Sequence, residues 1–136
     1  MKVLVDTDVW SEAFRKKGAS SPYVSELIAL IEEDRVQLIG PIRQEILCGI
    51  RNAVLFKSFG QRLDAFPDRV IESDVFVTAA RFFNLCRSQG VQGSNTDFLI
   101  CACSVSWGMP ILSKDKDYQN YQKHLPIEQL EPRLRK

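Results

Sequence analysis

Histidine is almost missing from this chain of 136 residues: His124 is the only one, and it lies in a polar stretch near the end. Chemistry built on an imidazole base would rest on that residue, so Ser-His-Asp and Cys-His schemes have little to stand on. Cysteine is scarce. Cys48, Cys86, Cys101 and Cys103 form no C-x-x-C pair and sit in apolar runs such as LICACSV. They read as buried structural thiols rather than a zinc site or disulfide frame. No stretch approaches the ~20 apolar residues of a membrane span. The opening MKVLVDTDVW reaches Asp6 after only Val3, Leu4 and Val5, too soon for the apolar core of a signal peptide. A cytoplasmic protein without membrane contact is expected. A net charge of +1 argues neither for nor against nucleic acid.

What remains is ordinary globular material. The apolar share is 45% and the charged share 26%, enough for one core, so residues 1–136 read as a single domain without repeats or linkers. Residues 2–5 form an apolar run ending at Asp6, the pattern of a buried strand. A short helix over 8–15 follows, closed by Lys16, Lys17 and Gly18. Ser20, Ser21 and Pro22 open a helix reaching Asp34, with Val24, Leu27, Ile28 and Ile31 at helical spacing. Residues 35–39 read as a strand, and helices carrying Ile42, Ile46, Leu47 and Ile50 and then residues 52–66 come next. Val70–Ile71 is a candidate short strand. Ser73 or Asp74 caps a helix through Arg87 with Val77, Ala80, Phe83 and Leu85 among its apolar residues. Asn95 or Thr96 caps the apolar FLICACSVSW, which Gly108 ends. Pro110–Leu112 and Pro126–Leu130 are further candidate strands. This alternation predicts an α/β fold with a mostly parallel central sheet of four to five strands.

In such sheets ligands gather beyond the carboxyl ends of the strands. Asp6 stands at one such end, and Ser113-Lys114-Asp115-Lys116-Asp117 at another. Asp97 falls in a helix's first turn, where the dipole favours a carboxylate. Glu45 follows the second strand, and Gly49, one turn on, would leave room beside it for a bulky ligand. Each acid has a bland alternative: a cap at Asp6 or Asp97, a solvated Glu45, a turn decorated by Asp115 and Asp117. Together they suit hard cations, since Mg²⁺ and Mn²⁺ take oxygen ligands from a few carboxylates plus substrate phosphates. Two such ions about 4 Å apart stabilise the attacking and leaving oxygens of an in-line displacement. Basic residues flank these positions at Arg15-Lys16-Lys17, Arg43, Arg51, Lys114, Lys116 and Arg133 with Arg135 and Lys136, although solvated surface is their usual fate.

VLVDTDVW at 3–10, RQEILCG at 43–49, NTDFLICAC at 95–103 and ILSKDKDY at 111–118 stand in the order found in PIN-domain proteins. With the short chain they resemble most the VapC-type ribonuclease toxins of bacterial toxin–antitoxin pairs, over roughly residues 3 to 118. The resemblance implies an α/β/α sandwich and a Mg²⁺- or Mn²⁺-dependent endoribonuclease that is commonly a homodimer. It also implies a small VapB-like antitoxin whose C-terminal segment covers the acidic site. By the same resemblance Asp6, Glu45, Asp97 and Asp115 are the catalytic and metal-holding acids, one or two ions are held, and Asp117 matches a second, more variable acid. Thr7 and Ser113 are placed to orient ligands or waters. Asp8 departs from the Asn or Ser of many relatives and stands outside the core set, as an extra ligand or a cap. Hydrolysis by a metal-activated water is the implied chemistry.

Two rivals remain. The D-x-D of VLVDTDVW also fits haloacid-dehalogenase-like phosphatases, with Asp6 as nucleophile and Asp8 as acid. Lys114, Asp115 and Asp117 match the rest of that machinery poorly. A phospho-receiver domain fits less well, since residues 48–60 hold no aspartate. The other rival is a PIN-like module that binds RNA or a partner without cutting.

Overall fold

A computed structural model describes residues 1–15 and 21–133. The expected helix stop at Lys16, Lys17 and Gly18, the cap at Ser20, and the basic residues Arg135 and Lys136 lie outside these. Strand β1 (Val3–Val5) is followed by helices α1 (Thr7–Arg15) and α2 (Pro22–Glu32), then β2 (Val36–Gln37). Helices α3 (Gly40–Cys48), α4 (Ala53–Leu63), α5 (Ser73–Ser88) and α6 (Asn95–Trp107) come next, then β3 (Ile111–Leu112) and α7 (Asp117–Gln122).

All three strands are parallel, in the order β2-β1-β3. Val3 pairs with Val36 on one side, and Leu4 and Val5 with Ile111 and Leu112 on the other. Every residue of β1 is fully buried, as a central parallel strand covered on both faces must be. Helix α6 is buried continuously from Phe98 to Ser104, and a helix apolar all round belongs inside a core. It packs on β3 and α5, while α1 packs on α2 and α3. Gly108 takes the left-handed conformation (φ 64°) that ends α6.

The sheet is smaller than the four to five strands expected. Among the described residues Val70–Ile71 forms no bridge, the nearest being Leu38 with Asp68, and Pro126–Leu130 contributes only the bridge of Gln129 with Ile111. Pro67 and Pro126 remove backbone donors just before each bridge, and Val70 is 73% exposed. Ile111 still donates to the Glu128 carbonyl and accepts from Leu130, both at 2.8 Å. Other differences are local. Helix α2 stops at Glu32 and Asp34 turns left-handed (φ 54°). Ile28, Ile31, Val77 and Leu85, expected on buried faces, are exposed, because Ala29, Leu30, Val75, Ala79 and Cys86 take the inner positions. Helix α7 was not foreseen.

Two arginines expected to offer surface charge fasten the fold instead. Arg133 clasps buried Glu26 of α2 (2.6 Å) and Glu33 (2.9 Å). Arg43 donates to the carbonyls of Leu63 (3.1 Å) and Phe66 and to Asp68 (3.1 Å), tying α3 to the end of α4. Removing a donor from partly buried carbonyls costs about 1–3 kcal/mol. Arg43→Met should therefore lower the unfolding free energy, measured by urea titration, by an amount in that range, whereas an unchanged urea midpoint would show the clamp to be idle.

Candidate active site

The carboxyl end of the sheet opens into a cleft of about 660 Å³. Asp6, Glu45, Asp97 and Asp115 all line it, together with Thr7, Asp8, Ser11, Arg15 and Cys48. Four elements distant in sequence supply these acids. Asp6 ends β1, its N–H donating to Leu112 across the sheet (2.9 Å). Glu45 projects from α3, Asp97 from the first turn of α6, and Asp115 follows β3. Asp117 is not among the residues lining the cleft, yet Asp97, Asp115 and Asp117 each bring an oxygen within 4.8 Å of the others.

These carboxylates are held by the chain's own hydroxyls and amides. Asp6 is 7% exposed. It accepts the Thr7 N–H at 2.8 Å through Oδ1 and the Ser113 hydroxyl at 2.9 Å through Oδ2. Ser113 Oγ in turn accepts the Asp115 N–H at 3.0 Å, and Asp115 Oδ1 accepts the Asp117 N–H at 2.9 Å. The Thr7 hydroxyl donates to Glu45 Oε1 at 2.8 Å. Thr7 and Ser113, expected to orient ligands or waters, here orient carboxylates. Asp97 accepts the buried Tyr121 hydroxyl at 2.6 Å, and its N–H bonds the Ser94 hydroxyl at 3.0 Å. Ser94 is thus the cap of α6, in place of Asn95 or Thr96.

Burial and crowding raise the proton affinity of the cluster. Desolvation, then the charge of Asp8, pushes Asp6 up to about 7, against the hydrogen bonds from Ser113 and Thr7. Burial also raises Asp8 and Asp97, and Asp115 adds to both. Asp8 Oδ2 accepts the Lys114 N–H at 3.0 Å, whereas its Oδ1 is buried without a hydrogen-bond partner among the described residues. Burial drives the Tyr121 phenol upward, so it remains a neutral donor. Glu12 goes the other way. It is 4% exposed, pairs with Lys114 (2.9 Å), accepts from the Ser21 hydroxyl (2.7 Å), and is held down to about 2 by these partners.

No protein-family model matches the chain. It is 26% identical over 118 residues to the VapC ribonuclease Mb1587 of Mycobacterium bovis and to ribonuclease VapC11 of Mycobacterium tuberculosis. Each alignment covers 85% of this chain and 88% of the relative. Among solved structures, FitAcB from Neisseria gonorrhoeae superposes with a TM-score of 0.75 at 21% identity, covering 96% of this chain and 97% of that one. VapBC2 from Rickettsia felis, bound to a promoter DNA fragment, gives 0.76 at 15% identity over 96% and 98%. The chain has the PIN-like fold of these structures, and its sequence is similar to VapC ribonucleases.

On this PIN-like scaffold two readings of the sequence change. Gly49 caps the end of α3 and lines a neighbouring apolar groove, not the acidic cleft. A methyl there would come no closer than 3.6 Å to its nearest neighbour, so the glycine does not make room beside Glu45. Cys48 is an exposed thiol on the cleft; Cys86, Cys101 and Cys103 are buried as expected. Lys114, which a phosphatase would need at the reaction centre, is paired with Glu12. Glu12, Ser94 and Tyr121 were missed. Glu12 had a readable signal, an acid set between Trp10 and Ala13 on a helix that buries Val9 and Trp10.

Asp6 keeps its proton in the fold up to about pH 7, but an unfolded chain releases it near about 3.9. Its contribution to stability is complete below the lower value and is lost as pH rises through the higher one. In EDTA the melting temperature should therefore decline between pH 5 and 8, and Asp6→Asn should flatten that decline and melt higher at pH 8. Calorimetry showing the same slope in both proteins would refute the assignment.

Proposed function

We propose that this chain is a divalent-cation-dependent endoribonuclease, the toxin of a toxin–antitoxin pair. The observation that carries the reading is the convergence of Asp6, Glu45, Asp97 and Asp115 on one cleft at the carboxyl end of a parallel sheet. Its sequence relatives are named ribonucleases, which gives the acids a substrate class.

The donor set fits a hard cation. All donors are oxygens, Asp6 is raised by burial and by Asp8, and Asp8 Oδ1 is buried without a partner. Asp6, Asp97 and Asp115 would hold the principal Mg²⁺ or Mn²⁺, with Glu45, Asp117 and Asp8 available for a second. When bound, such an ion supplies Lewis acidity toward the phosphodiester and its attacking water. The chain's own residues do the rest. Ser113 and Thr7 fix Asp6, and Thr7 fixes Glu45, leaving exposed Glu45 to accept a hydrogen bond from a water entering the cleft. Among the described lining residues Arg15 is the cation, placed to meet an RNA phosphate. Because Lys114 and Arg43 are already paired, Arg15 carries that role without their help.

Partners follow from two apolar features. A groove of about 640 Å³ shares Ser11 and Arg15 with the cleft and is lined by Phe14, Ile46, Ile50, Leu55 and Phe59. It suits an antitoxin segment that continues into the acidic cleft, and two of the similar structures are named FitAB and VapBC2, each bound to a DNA fragment. Exposed Phe76, Val77 and Leu85 on α5 suit a homodimer face.

Purified protein should cleave members of an RNA panel with Mn²⁺ or Mg²⁺ and stop in EDTA. Asp97→Asn should abolish cleavage while leaving the fold intact. Arg15→Ala should weaken RNA binding several-fold and reduce its salt slope by about one. A folded wild type that binds RNA but cuts none, with or without metal, would favour a non-catalytic binding module.

A further inference from the structure

Helix α7, with the sequence DYQNYQ, carries no periodic apolar run, yet one of its side chains touches the site. Tyr121 is fully buried. Its ring sits 4.9 Å from Phe98 and 5.3 Å from Tyr118, and its hydroxyl donates to Asp97 Oδ2 at 2.6 Å. A ring enclosed in this way has one orientation, so its hydroxyl is a fixed point against which Asp97 is set. Gly93 makes the placement possible. A Cβ there would lie 2.2 Å from the Tyr121 oxygen, 2.7 Å from Cζ and 3.0 Å from Phe98 Cε2, closer than van der Waals contact allows. A hydrogen bond of this kind leaves one carboxylate oxygen occupied and limits which way the other can turn.

We propose that Tyr121, seated by the absent side chain of Gly93, is a positioning residue for the cation site: it holds the Asp97 carboxylate where an oxygen lies within 4.8 Å of Asp115 and Asp117. The inference rests on the cation-binding part of the proposed function and adds a residue outside the acidic set. Partners behind the ligands of a metal site typically contribute 10–100-fold to metal affinity.

The test uses the full chain and Mn²⁺ as probe, with free Mn²⁺ counted by electron paramagnetic resonance. Tyr121→Phe should raise the Mn²⁺ dissociation constant at least ~10-fold, and RNA cleavage should return toward the wild-type rate at saturating Mn²⁺. Gly93→Ala, which forces the ring aside, should weaken Mn²⁺ in the same direction. Tyr118→Phe removes a buried hydroxyl from the same helix that has no described hydrogen-bond partner, and should leave Mn²⁺ affinity unchanged. Equal Mn²⁺ affinity in Tyr121→Phe and wild type, with only the melting temperature lowered, would overturn the proposal by reducing Tyr121 to a packing residue. A wild type that fails to bind Mn²⁺ would overturn it as well. Mn²⁺ binding that depends on Tyr121 in a protein that cuts no RNA would sustain the inference while the nuclease reading fails.

Discussion

Asp6 is buried at the end of the central strand, beside Asp8 and within the field of Asp97. Like charges brought together in a dehydrated place repel, and among the described residues no lysine or arginine forms an ion pair with Asp6, Asp8 or Asp97. Lys114 is spent on Glu12 and Arg43 on Asp68. The chain answers with neutral donors instead, the Ser113 hydroxyl and the Thr7 amide for Asp6 and the Tyr121 hydroxyl for Asp97. Such donors orient a carboxylate without neutralising it. The cluster keeps its excess of negative charge, and protonation of Asp6 relieves part of it. The proposed physiological relief is a divalent cation.

The rest of the architecture follows from needing several acids at one point. A parallel sheet ends its strands at the same edge, which puts Asp6 and the Ser113–Asp117 loop side by side despite their separation in sequence. Helix α6 is inside the core, so Asp97 in its first turn is anchored by a helix buried continuously from Phe98 to Ser104. Glu12 fixes the loop after β3 from below through Lys114, and its carboxylate stays ionised because Lys114 and Ser21 donate to it. Rigidity beneath the site and unrelieved charge at its surface are two consequences of one layout.

Asp6, Asp97 and Asp115 were legible because each falls where an apolar run begins or ends, and such boundaries survive in sequence, whereas Glu45, inside α3, was legible through the motif RQEILCG. The structure brings the four to one cleft, and their roles as ligands are a proposal. The small sheet was overcounted because Val70–Ile71 and Pro126–Leu130 have strand-like composition, and composition does not record that a preceding proline breaks the ladder. Tyr121 was illegible for another reason. Its importance comes from a contact with Asp97 and a close approach to Gly93 that leaves no space for a side chain there, and neither leaves a periodic trace. Cys48 misled in the same way, since an apolar neighbourhood in sequence became the open lip of a cleft in space.

The central claim is that the crowding at Asp6 is relieved by a divalent cation. Calorimetric titration of Mn²⁺ into metal-free protein at pH 7, repeated in two buffers of different ionisation enthalpy, tests it most directly. Because Asp6 is partly protonated there, the account predicts binding with net proton release, and loss of that release together with much of the affinity in Asp6→Asn. Binding without proton release and unaffected by Asp6→Asn, or no binding at all, would contradict it.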